Sequence, residues 1–109
     1  MNMKIVYTYS ARKDLRDIYE YIAHTLLAPE TARSLIEKIM SEIRSLEESP
    51  ERNPLYRDEP WRSHGVRFLP VKNDLVFYTG RMDIETVSIV RIMYGGRDIS
   101  RQLHETIEW

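Results

Sequence analysis

A chain of 109 residues, 42% hydrophobic and 30% charged, has the size and balance of one globular domain able to bury a core without covalent staples. The absence of cysteine excludes a disulfide framework and thiolate chemistry. A net charge of −1 and a pI of about 6.3 argue against a generic nucleic-acid coat, whose affinity rests on neutralising phosphates.

The N-terminal MNMKIVYTYS has neither the apolar run nor the cleavage site of a signal peptide, and no segment reaches the roughly 18 apolar residues of a membrane span. A soluble, cytoplasmic protein is expected. Residues 3–9 (MKIVYTY) are β-branched and aromatic and predict a first strand. Ser10 is then a candidate N-cap for a helix whose apolar face is Ala11, Leu15, Ile18, Ile22 and Leu26. Pro29 breaks that helix and suits the first turn of another, with Glu30 beside the positive end of its dipole. Ala32, Leu35, Ile36, Ile39, Ile43 and Leu46 repeat the helical spacing up to Ser49-Pro50, and the short connection predicts an antiparallel hairpin.

Residues 51–63 (ERNPLYRDEPWRS) read as an ordered loop. Strands are predicted at 66–71, 75–79 and 86–94, with turn chemistry at Lys72-Asn73-Asp74 and at Gly80 to Asp83, and a stop at Gly95-Gly96. The tail, residues 99–109, reads as either a short helix or a mobile end. The order β-α-α-β-β-β predicts an α+β domain over residues 1–109, with the helical hairpin on one face of a mostly antiparallel sheet.

Strict alternation along 86–94 puts Val90 and Ile92 on one face and Ile89, Arg91 and Met93 on the other, where Leu69, Leu75 and Phe77 would join them. Both faces are then partly apolar, and two layers of this size cannot cover both. One face is therefore expected to receive a partner.

No chemical motif stands out. His24, His64 and His104 lie in separate elements without metal-ligand spacing, Gly95-Gly96 is no phosphate cradle, and no cofactor is expected. Basic residues do concentrate at Arg62, Arg67, Lys72, Arg81, Arg91, Arg97 and Arg101, against Asp74, Asp83, Glu85 and Asp98. Arg91, inside the apolar run SIVRIMY, needs an ion-pair partner such as Glu59, Asp74 or Asp98, or else an open face for phosphates or an acidic partner. Tyr94 could stack on a base or bond a phosphate, and His104 could exchange a proton in phosphodiester cleavage.

Taken together, KIVYTYSARKDLRDIYEYIA, PETARSLIEKI, LEESPERNP, RFLPVKNDLVFY and IVRIMYGGRD resemble the RelE/ParE superfamily of bacterial type II toxins over residues 3–103. The resemblance implies a toxin whose partner is a cognate antitoxin with a wrapping C-terminal segment. It would dock on the outer sheet face (Arg67, Leu69, Leu75, Phe77, Arg91, Met93, Tyr94, Arg97) or on the groove by Leu15, Tyr19 and Ile22. A homodimer through the same apolar face is an alternative. RelE-like members cleave mRNA on the ribosome with basic sheet residues, and by position Arg67, Arg97 and His104 would be the catalytic set here. Leu69 and Leu75, however, stand where those ribonucleases carry cations. That departure, with RFLPV and RIMYGGRD, makes the chain look more like ParE, whose members poison DNA gyrase. An inactive toxin working only in an antitoxin-bound repressor complex is the further alternative.

Overall fold

The computed structural model describes residues 2–96 and 99–106. The N-terminal β-branched run forms β1 (Lys4–Tyr7). Helix α1 (Tyr9–Glu20) begins two residues earlier than Ser10 suggests: Thr8 is the cap, its extended backbone letting Oγ1 accept the Ala11 N–H at 3.1 Å. A π-helical turn (Tyr21–Thr25) continues α1. Leu27 then takes a left-handed φ of 55° while 81% exposed. Pro29 opens α2 (Pro29–Arg44), where its missing N–H costs nothing, and Glu30 lies in the first turn. The helix closes in a 3-10 turn (Ser45–Glu47), short of Ser49-Pro50.

Strands β2 (Arg67–Val71), β3 (Asp74–Arg81) and β4 (Thr86–Tyr94) complete a sheet of order β1-β4-β3-β2. Only β1 and β4 are parallel; the other pairs are antiparallel, and Lys72 supplies the positive φ of the β2–β3 turn. This is the expected α+β order, with two helices on one face. No helix among the described residues is long and apolar enough to cross a membrane.

The main core lies between helices and sheet. Ile39, Ile43 and Leu46 meet Leu69, Val71, Val76, Tyr78, Val87, Ile89 and Ile92 there. Each such aliphatic side chain contributes about 1.5–3 kcal/mol by leaving water.

Two expectations about the sheet faces are corrected. First, Phe77 faces Arg91 while Tyr78 faces Ile89, so Val90 is an extra residue in β4. That bulge breaks the alternation and swings Ile89 to the helix face beside Ile92. Leu69 is also on the helix face, buried in the main core, because it pairs across with Val76.

Second, the outer face is not open. Residues 51–66 fold back over it, and a short helix α3 (Ile99–His104) lies beside them. Trp61, Val66 and Leu103 bury Phe77 and Met93 in a second core, with Tyr56, Phe68, Leu75 and Ile99 around it. Tyr56 sets its ring edgewise to Trp61, Phe68 and Phe77, with centroids 5.9, 6.3 and 5.6 Å away. The apolar surface that suggested a bound partner is covered by the chain itself.

Candidate functional site

The polar centre of the molecule is an ion pair joining three elements. Arg91, on β4, donates from Nε and Nη2 to the two carboxylate oxygens of Asp14 on α1, at 2.7 and 2.9 Å. Its Nη1 reaches Thr106 Oγ1 at 3.0 Å and the Gln102 carbonyl at 3.3 Å. The side chains are only 15% and 13% exposed, so the fork-to-fork geometry compensates a real desolvation cost. Arg91 therefore has a partner that the sequence reading missed. The signal was present, since Asp14 shares one helical stripe with Ala11, Leu15 and Ile18.

Asp14 has a second task. Its Oδ2 accepts the Ile92 N–H at 2.8 Å, and Thr8 Oγ1 donates to the Val90 carbonyl at 2.9 Å. Where β1 stops at Tyr7, side chains of the Thr8–Asp14 turn take over the edge of β4.

Beyond Asp14 that edge borders a groove of about 710 Å³. Its helical wall is Asp17, Ile18, Tyr21, Ile22 and Leu26; its sheet wall is Ile92, Met93 and Tyr94, with Asn73, Asp74 and Gln102 at the ends. Tyr21, Leu26 and Tyr94 are exposed apolar surface along it. Asp74 is 6% exposed, and burial pushes its carboxyl above the ordinary carboxylate value.

The residues singled out from sequence divide between places. Ile22, Arg91, Met93 and Tyr94 line this groove, whereas Leu15 packs against the main core and Tyr19 sets its ring against His24. Leu75 and Phe77 belong to the second core and Leu69 to the main one.

Of the three residues considered for phosphodiester cleavage, Arg67 and His104 are among the described residues. Arg67 starts β2 and donates from Nη1 to the carbonyls of Asn53 at 2.7 Å and Glu51 at 3.4 Å, tying down the covering loop. His104 sits exposed at the end of α3 with its ring against Trp61, centroids 4.7 Å apart. Arg97 lies outside the described residues. Near Arg67, Tyr78 donates to the Pro50 carbonyl at 2.7 Å and accepts from Asn53 Nδ2 at 3.1 Å. Burial raises its phenol above the ordinary value, opposed by that hydrogen bond and by Arg67 and Arg52.

A four-stranded sheet with this order, a helical hairpin on one face and a C-terminal helix beside the other defines the RelE/ParE superfamily of toxins, to which the chain belongs. Within it the chain belongs to the ParE family: residues 5–99 match the family described as the ParE toxin of the parDE type II toxin–antitoxin system. The chain is similar to a solved chromosomal ParDE system from Pseudomonas aeruginosa, with 23% identity, 84% of this chain and 95% of that one covered, and a TM-score of 0.69. It is similar to the RelBE2 toxin–antitoxin complex of Mycobacterium tuberculosis, with 20% identity, coverage of 86% and 99%, and a TM-score of 0.59. A mutant of the Escherichia coli toxin RelE in the free state gives 14% identity, coverage of 98% and 96%, and a TM-score of 0.66. No curated protein matches the chain significantly.

Proposed function

We propose that this chain is the growth-inhibiting toxin of a type II pair, neutralised by a cognate antitoxin, and that it acts in the cytoplasm on DNA gyrase. Family membership and the solved ParDE and RelBE2 relatives support the antitoxin. The observation that carries the target is what the sheet's basic residues do. Arg91 spends all three guanidinium nitrogens inside the fold, and Arg67 is anchored to loop carbonyls. A ribonuclease must neutralise a crowded phosphate and move protons at both ends of the reaction. Here His104 rests on Trp61, and Leu75, placed where the RelE-like ribonucleases carry a cation, packs in the second core.

Purified toxin added to gyrase is expected to inhibit supercoiling or trap cleaved DNA, while leaving mRNA on translating ribosomes intact. Normal supercoiling and cleavage at excess toxin would overturn the gyrase reading. If mRNA is cut instead, and Arg67→Ala abolishes the cutting, the RelE-like activity replaces it.

A further inference from the structure

Alternation along β3 puts Asp74 in one row with Val76 and Tyr78, and across β2 it pairs with Val71. Val71, Val76 and Tyr78 all belong to the main core, so a row that is otherwise buried under the helices ends in a carboxyl. Asp74 is 6% exposed, and among the described residues it has no hydrogen-bond or ion-pair partner. Burial alone raises its carboxyl, with no donor or cation opposing the effect. No fully enclosed side-chain oxygen among the described residues lacks a partner, so the little surface that Asp74 keeps includes its carboxyl oxygens. A carboxylate so far withdrawn from water is costly unless something answers its charge.

Besides bordering the groove, Asp74 lines a second cavity of about 420 Å³, between the β2–β3 turn and the first two turns of α2. Lys72 lines it as well; it is exposed and has no ion pair among the described residues. On the helix side are the hydroxyls of Thr31 and Ser34, and neither bonds a protein group among the described residues. The other charge is Glu30, whose two carboxylate oxygens accept from Arg33 Nη1 at 3.1 and 3.0 Å. One cation and one anion are thus uncommitted in a single cavity, two residues apart in the chain and not paired with each other. Leu35 adds an apolar wall, which it shares with the groove leading to Ile22 and Leu26.

We propose that this cavity binds a free α-amino acid with an aliphatic side chain. An ammonium group has three donors, and Asp74 with the hydroxyls of Thr31 and Ser34 supplies the acceptors. The carboxylate goes to Lys72 and to the positive end of α2, where Ala28 gives no side-chain cap and first-turn N–H groups are left over. The aliphatic side chain lies along Leu35. A simple amine would leave Lys72 unanswered, and a simple carboxylic acid would leave Asp74 so. A metal ion is a poor fit, since no three metal-binding side chains gather among the described residues. Only a ligand carrying both charges close together completes both residues. Nothing in this site depends on the toxin function proposed above.

The test titrates full-length, isotope-labelled protein with L-leucine and with its two half-ligands: isoamylamine, which lacks the carboxylate, and 4-methylpentanoate, which lacks the ammonium. L-Leucine is expected to give saturable shifts of the Ser34, Asn73 and Asp74 amides, with each half-ligand at least about tenfold weaker. Asp74→Asn keeps the shape of the side chain and removes its charge, and Lys72→Gln alters only an exposed residue, so both variants should fold. Each should weaken L-leucine about tenfold, and Ser34→Ala should do so by a smaller factor. Absence of saturable shifts at these amides up to about 10 mM L-leucine would overturn the proposal. So would isoamylamine binding as tightly as L-leucine, or undiminished binding to either charge variant.

Discussion

The helix side of the sheet and its outer side bury similar kinds of residue by different means. On the helix side, two regular amphipathic helices set aliphatic rows from α2 on the sheet, and Ile39, Val76, Val87 and Ile89 lose all contact with water. On the outer side, an irregular segment contributes Trp61 and three edge-on ring contacts from Tyr56, and the six-residue α3 adds Leu103. A helix of that length has little stability of its own. The outer layer therefore depends on a few large side chains, and the helix layer on many small increments.

The Asp14–Arg91 pair reaches from the helix layer to α3, so cutting it should affect both sides at once. Asp14→Ala leaves a guanidinium buried without its carboxylate, and a loss of about 3–5 kcal/mol is expected in chemical denaturation. Replacing both residues with apolar ones of similar size should recover most of it. If Asp14→Ala alone costs under about 1 kcal/mol, the link is not what joins the layers.

Trp61→Ala comes next, with an expected cost of about 3 kcal/mol. Hydrogen exchange should then accelerate in residues 51–66 and α3 while α1 and α2 stay protected, because the outer layer opens by itself. Uniform acceleration across both layers would erase the distinction between them.

The smallest effect concerns Asp74, at the mouth of the groove. Burial raises its carboxyl above 3.8, so the folded chain holds that proton more tightly than the unfolded one. Its contribution is favourable below the unfolded value and is lost as pH rises through the folded one. Asp74→Asn should thus stabilise the protein at neutral pH by under about 1 kcal/mol, and the gain should vanish near about pH 3. A gain that persists in acid would mean that ionisation is not its source.

The helix layer was legible in the sequence because helical spacing reports directly on a regular element, and the strands because β-branched runs ended at turn residues. The outer layer was not. Residues 51–63 carry no period, so nothing in ERNPLYRDEPWRS says that Trp61 will close over Phe77. The bulge at Val90 was equally silent, and that single inserted residue reversed the face of Ile89. At the site, Arg91's need for a partner was readable, but its distance in sequence from Asp14 hid which carboxylate would supply it. Thr8, not Ser10, is the cap, and the same hydroxyl reaches the Val90 carbonyl of the bulged strand.

That threonine has a consequence for the order of folding. Its hydroxyl serves the first turn of α1 and a carbonyl 82 residues away, and β1 pairs in parallel with β4. Contacts of such separation form late and slowly. Strand β1 therefore waits for β4: a nascent polypeptide can coil its two helices on leaving the ribosome, but the sheet registers only once β4 has emerged. A product stalled before β4 lacks the finished surface, so a cell making this protein meets the completed sheet only after β4 has been made.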